Sequence, residues 1–414
     1  MPSSISHSDA RTSELRGVRE GALPAGLRQT AANRPGQAQP VPTRDIPLRP
    51  WVKIGTVAFL AALLLTGAWE WNARTNLGLH AGDIDDSPQA WAEARRAADH
   101  APVAIIGDSR ILFDTDQQRF QALTGVRPVQ VAHVGTNARA LLDHFASDPN
   151  FHGLLIVGMA DTMYFGMPGI GLGGEAVHGY AKNDKPSQLT GLWIDRWLQN
   201  YLAFLDSDYR LSRWLPRIDN GWRKGVDSPY EDVWKLSEVS PGRQFFMWDQ
   251  IEKDGYLQSH ARHAWQGFNG PDIKPWLANR VIARSAEAVR RIRARGGDVI
   301  FIRPPSAPQL RVTEQRRIPR KLGWDRLLIG ANAKGIHFDD LPEAQNLVLP
   351  EYSHLSRKCA SVFTDAYVRR LVVLTSRLKL RADAPQPLHR SDCVPDQRAA
   401  SARTPSAAAG NTTT

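Results

Sequence analysis

Cysteine is almost missing from this chain, with only Cys359 and Cys393 among 414 residues. Two thiols cannot complete a four-ligand zinc site of the usual cysteine-rich kind. Two readings stay open for the pair: a disulfide tying the tail to the last helix in an oxidising compartment, or two free thiols. A long basic block interleaved with aromatics is also missing, although Lys and Arg (52) outnumber Asp and Glu (42) and the formal net charge is +10. The excess is scattered arginine, which reads as a solvated basic surface and excludes nucleic acid as the expected partner. An acidic polymer or an anionic membrane surface stays compatible with it. There is no internal repeat.

Long apolar runs are missing too, with one exception. Ile54–Trp71 is an 18-residue stretch whose single charge, Glu70, lies near its end, and whose centre reads VAFLAALLL. A spanning helix needs roughly 20 residues, and Trp51, Trp69 and Trp71 sit where interfacial aromatics belong. A polar leader precedes the stretch and no small-x-small cleavage site follows it, which argues against a cleaved signal peptide. Residues 51–71 therefore read as a single anchor in the bilayer. Arg44, Arg49 and Lys53 precede it, and Asp83, Asp85 and Asp86 follow. The positive-inside rule then keeps the N-terminus cytoplasmic and sends the rest across the membrane. In a bacterium, that places the domain in the periplasm or at the surface.

With 42% hydrophobic residues, the chain can build a sizeable core. Residues 1–48 and 381–414 lack sustained periodicity and read as disordered, leaving a folded domain over 75–380. Within it, apolar runs alternate with helical segments. Val103–Gly107, Val129–Val134, Leu154–Gly158 and Val299–Arg303 read as strands, with a short extended piece at Ile336–Phe338. Helices are expected over Thr115–Thr124, Ala138–Phe145, Asn279–Arg295 and Ser356–Leu378. The pattern predicts an α/β fold with a parallel sheet covered on both faces and its site at the strands' carboxyl ends.

Residues 165–275 break the rhythm and read as a helical, tryptophan-rich insertion. Counting Trp276 just past its edge, the segment holds eight tryptophans. They either pack a small core of their own or, in one or two cases, reach the cleft to stack on sugar rings. Gly169, Gly171 and Gly174 fit G-x-G-x-x-G, but no strand leads into them, so the stretch reads as a loop at the cleft mouth and not a dinucleotide site.

The chemistry concentrates in two short blocks. VAIIGDSR at 103–110 is a buried strand ending in a tight turn that presents Ser109. PEYSHLS at 350–356 sets Glu351 three residues before His354. A serine is a weak nucleophile until a base takes its proton, and a base works best when a third group orients it. Ser109, His354 and Glu351 are the candidate nucleophile, base and orienting acid, with Asp339 or Asp340 as the alternative acid. A serine that merely caps the next helix is the competing reading for Ser109.

These blocks resemble the SGNH, or GDSL-like, hydrolase superfamily over roughly 100–160 and 295–375. The resemblance implies a flavodoxin-like three-layer fold and no metal or cofactor. It implies an oxyanion hole made by the serine N–H, a glycine N–H after the second strand and an asparagine after the third. Gly135 matches the glycine. Ala160 stands at the asparagine's place and cannot donate, so either Asn137 substitutes or the hole has two donors. Asp161 either orders its loop or caps a helix, and Arg303 either holds an anionic substrate group or pairs with a carboxylate. Within the superfamily, an anchored domain with a divergent third block is similar to acyltransferases and esterases that accompany membrane-bound O-acyltransferases. The expectation is therefore acyl transfer to, or removal from, an exported polysaccharide. A silent tethered scaffold that binds glycan is the alternative.

Overall fold

The computed structural model describes residues 49–166, 171–180, 185–210, 235–265 and 269–394, together with 213, 215 and 218. Residues 1–48 and 395–414, expected to be disordered, lie outside the described residues, as do Trp214, Trp222, Trp234 and Gly169. The chain divides into two units, 1–64 and 65–414.

In the first unit, the described residues are almost all helix. Helix α1, Trp51–Thr75, begins there and is long and apolar enough to cross a membrane. Its side chains from Trp51 to Trp69 are exposed.

The second unit is α/β. Its central sheet has five parallel strands in the order β2-β1-β3-β6-β7. These are β1 (Val103–Ile106), β2 (Val129–Gln130), β3 (Leu154–Gly158), β6 (Asp298–Arg303) and β7 (Lys334–His337). The apolar runs of β1, β3 and β6 are buried on both faces, as expected where helices cover a parallel sheet on each side. Alternate residues feed two cores. Ile105, Ile156 and Ile300 pack with Val362, Phe363 and Leu371, while Ala104, Leu155 and Phe301 pack with Leu141, Val281 and Ile292.

The covering helices differ modestly from expectation. The long one runs Pro275–Ala294, starting earlier because Pro275 suits a first helical turn. The last, Arg357–Leu374, stops short of Leu378. The second strand is shorter than Val129–Val134. Beyond Gln130 its outer carbonyls turn to the Arg243 guanidinium, which takes the carbonyls of Gln130 and Ala132 and also holds Asp86.

The segment between β3 and β6 is not purely helical. It carries an antiparallel hairpin, β4 (Ser237–Ser240) with β5 (Gln244–Met247), closed through Pro241-Gly242-Arg243. Gly171–Gly179 is helical, where the glycine-rich stretch had read as a loop. Residues 381–394, read from composition as part of a structureless tail, are held on the domain. The Arg381 N–H donates to the Leu123 carbonyl, and Cys393 is disulfide-bonded to Cys359, resolving the thiol question.

Candidate active site

Ser109 stands where the sheet's two halves diverge. β1 connects outward to β2 on one side and lies beside β3 on the other, and in such sheets ligands bind beyond the carboxyl ends of the strands at that point. The short helix α2, Ser109–Phe113, starts directly from β1. It can sit there because both neighbouring strand ends are glycine. A Cβ on Gly107 would lie 2.3 Å from Ile111 Cγ2, and one on Gly158 would lie 2.1 Å from Ile111 Cβ. Gly107 also has φ +154, which favours glycine. Asp108 caps the helix, accepting from the Arg110 N–H and, through its other oxygen, from the Ala160 N–H.

His354 and Glu351 lie together in the loop before the last helix. His354 Nδ1 is 3.0 Å from Glu351 Oε1, which also accepts the main-chain N–H groups of Ser353 and His354. The long glutamate side chain thus curls back over its own loop. Tyr352, at φ 80, sits in the left-handed region that a non-glycine residue enters only under constraint, and it turns the Ser353 and His354 amides toward that carboxylate. Glu351 Oε2 takes a fourth donor, Trp265 Nε1, at 2.6 Å. The imidazole stacks on Phe113 at 4.3 Å between centroids, with Trp265 5.7 Å away. His354 Nε2 is buried and has no hydrogen-bond partner among the described residues.

Two contacts tie the serine's helix to the histidine's loop. Arg110 Nε donates to Ser353 Oγ at 3.1 Å, and the Leu355 N–H donates to Asp114 Oδ1 at 2.8 Å. Burial pushes the Asp114 carboxyl well above the usual range. Ser109 and Ser353 line one cavity of about 40 Å³ with Ala160, Thr162, Trp265 and Thr313. An open groove of about 410 Å³ adjoins it, sharing Trp265, Leu310 and Thr313 and walled by Ser259, His263, Asn269, Gln309 and Tyr352.

Other candidates lie elsewhere. Asp339 and Asp340 pair with Arg311 and Arg320 and make no contact with His354. Gly135 and Asn137 do not line the cavity beside Ser109. Asn137 Oδ1 accepts the Arg139 N–H at the start of the next helix. Ala160 does line the cavity, but its N–H is bonded to Asp108.

Arg303 is buried and bound to Asp161 at 2.6 Å, to Glu314 and to the Pro304 carbonyl. Glu314 also takes Arg110 at 2.6 Å. Burial alone would raise the Glu314 carboxyl, but the Arg110 and Arg303 guanidiniums outweigh it and hold the group at about 2. Arg303 is therefore committed to carboxylates, and Asp161, the first residue of the short helix Asp161–Gly166, is held by that pair.

The sequence reading missed Thr162 and Thr313, whose types carry no local signal, and it did not say which tryptophan reaches the cleft. That one is Trp265, 86 residues from the glutamate it holds. No protein-family model matches this chain, and no curated protein matches it.

Proposed function

We propose that this protein is a membrane-anchored serine acyltransferase or esterase of SGNH type, working through a Ser109 acyl-enzyme on acyl groups, O-acetyl first among them, of an exported or cell-envelope polysaccharide. The observation that carries the reading is the buried Glu351–His354 pair. Its second ring nitrogen, Nε2, has no hydrogen-bond partner among the described residues, and its loop is bonded to the helix that begins with Ser109. The sheet order, 2-1-3-4-5 when only the five parallel strands are numbered, is that of a flavodoxin-like doubly wound fold and supports the superfamily reading.

In this mechanism Ser109 Oγ rotates toward His354 Nε2 and attacks the acyl carbonyl carbon while the imidazole takes its proton. Glu351 holds Nδ1–H and stabilises the imidazolium. The Ser109 N–H, at the start of α2, donates to the developing oxyanion, with the Thr162 and Thr313 hydroxyls as nearby candidates. The leaving alcohol takes the proton from Nε2. A sugar hydroxyl or water then gives its proton to Nε2 and attacks the ester carbon; the bond to Ser109 Oγ breaks, and Oγ takes that proton back from Nε2. The polar walls of the adjoining groove suit a polyhydroxylated acceptor. A membrane-bound O-acyltransferase is the partner of choice for supplying the acyl group. In this reading the N-terminus is cytoplasmic, which the flanking charges of α1 support, and the disulfide fits an oxidising periplasm.

A second reading, a silent glycan-binding scaffold, draws on the committed Ala160 N–H and on Gly135 and Asn137 lying off the cavity. A fluorophosphonate probe on the full chain in detergent separates the two. Labelling mapped to Ser109, lost in Ser109→Ala and strongly slowed in His354→Ala, is the expected outcome. A folded protein that stays unlabelled favours the scaffold.

A further inference from the structure

The helix Pro186–Gln199, here α3, buries Leu192 on its inner side but carries a second apolar face that points outward. Amphipathic helices ordinarily point their apolar stripe at the core and their charges at water. In α3, Arg196 pairs with Glu93 and Asp195 with Arg210, both back onto the domain. Gln199 sits inside, accepting from the Asp85 N–H at 3.0 Å. The outward stripe is aromatic and aliphatic. Trp193, Ile194, Trp197 and Tyr201, one turn apart, are 69%, 45%, 55% and 63% exposed. The Trp197 and Tyr201 rings meet edge to face at 5.6 Å.

This stripe ends at α1. Arg74 Nη2 donates to the Tyr201 carbonyl at 3.0 Å, and the two Glu70 oxygens accept the Ala203 and Phe204 N–H groups, each at 3.0 Å. Glu70 is the residue at which the apolar run of α1 stops, and its neighbours Trp69 and Trp71 are both exposed. Tyr201 is thus held by Arg74, three residues beyond Trp71, and the nearby Ala203 and Phe204 by Glu70, which lies between the two tryptophans.

We infer that the outward face of α3 lies on the lipid surface, with Trp193, Trp197 and Tyr201 at headgroup depth beside the point where α1 leaves the bilayer. The inference rests on reading α1 as a membrane span. Continuity with that span selects lipid over a protein partner. Trp and Tyr are the side chains that prefer this layer, because one end of each ring system is apolar and the other can hydrogen-bond. From Trp193 to the helix end at Gln199 the stripe advances about 9 Å at 1.5 Å per residue, and Tyr201 continues it in the turn that follows, enough for an in-plane contact with buried apolar area.

Spin-label accessibility in the full chain, reconstituted in phosphatidylcholine–phosphatidylglycerol nanodiscs, tests this. Both native cysteines are disulfide-bonded, so Trp193→Cys, Trp197→Cys, Leu60→Cys and Val373→Cys take label singly. The Leu60 label reports the span and the Val373 label reports exposed protein surface. The expected result is several-fold greater relaxation by oxygen than by a water-soluble nickel chelate at 193, 197 and 60, and the reverse at 373. Labels at 193 and 197 that behave like 373 while 60 reads as bilayer overturn the inference and leave the span standing. Shielding from both reagents at 193 and 197 overturns it in favour of a protein partner or a second copy. A label at 60 that reads as aqueous overturns the span and the inference together. Each variant is compared with the parent by thermal midpoint, and Trp197→Tyr, which keeps an interfacial ring, is expected to retain nanodisc-dependent fluorescence protection.

Discussion

Four donors converge on Glu351: His354 Nδ1–H, the N–H groups of Ser353 and His354, and Trp265 Nε1–H. A carboxylate satisfies all four, but a glutamine of the same shape cannot. If its oxygen faces the loop, its NH2 faces the indole N–H, and the opposite flip sets NH2 against three donors. Glu351→Gln therefore leaves at least one buried donor unpaired and replaces a charged acceptor by a neutral one, costing about 2–4 kcal/mol of stability. Unfolding entropy near 2.1 cal/mol/K per residue makes that loss roughly 3–6 °C in thermal midpoint for a domain of this size. Trp265→Phe alone strands Glu351 Oε2 and costs about 1–3 kcal/mol.

In the double variant, the glutamine NH2 faces a phenyl edge and no longer opposes a donor. The combined loss is then smaller than the sum by about 1–2 kcal/mol, a coupling read from a double-mutant cycle of urea midpoints. The same Gln variant loses the orientation of the imidazole, so Ser109 labelling falls by on the order of 10⁴-fold, the scale seen when a triad acid is neutralised. Strictly additive stabilities, or unchanged labelling in Glu351→Gln, would falsify the account of this carboxylate as the shared acceptor and orienting acid.

Two further outcomes follow from features outside the dyad. Cys393→Ala opens a loop spanning 34 residues while leaving Cys359 in the core; loop-closure entropy puts the loss near 3.7 kcal/mol, or about 5 °C. A non-reducing melt that moves by less than about 1 °C contradicts that. His337 is buried, and its Nδ1 accepts the Asp339 N–H, so it is held neutral. Burial, and after it Arg303, Arg320 and Arg311, hold its pKa at about 2. The unfolded chain takes up this proton near pH 6.5 and the folded chain does not. Stability therefore falls as the pH drops below 6.5, by up to about 1.4 kcal/mol per unit and about 3 kcal/mol by pH 4.5. The difference in urea midpoint between parent and His337→Asn should shift in the variant's favour over that range, and a pH-independent difference refutes it.

What the sequence made legible was local. An apolar run closed by Gly107 and capped by Asp108 announces a strand, a turn and a helix start, which places Ser109 just past the carboxyl end of β1. Pro275 marks the long helix for the same kind of reason. Glu351 and His354 are three residues apart, so their contact needed only a loop that bends back on itself. What stayed hidden depends on distant partners. The end of β2 is set by Arg243, more than a hundred residues away, and the grip on Glu351 by Trp265 from the insertion. The hairpin was in principle readable, since Pro241-Gly242 separates two short stretches bearing Val239, Phe245 and Phe246, but the tryptophan count drew attention to packing. The role of Arg303 could not be read locally, because Glu314 reaches it from a separate helix.

The junction at Glu70 has a mechanical meaning. Many anchored enzymes hang from a flexible linker, so that the catalytic head samples a volume set by linker length. Here the helix from Leu65 onward belongs to the same compact unit as the candidate site, and Leu79, four residues past its end, is already buried. The last turns of that helix are therefore built into the domain and not strung to it by a free linker. Cutting the chain before Leu65 and cutting it after Thr75 are then different operations, because only the second strips the Glu70 and Arg74 contacts from the domain itself.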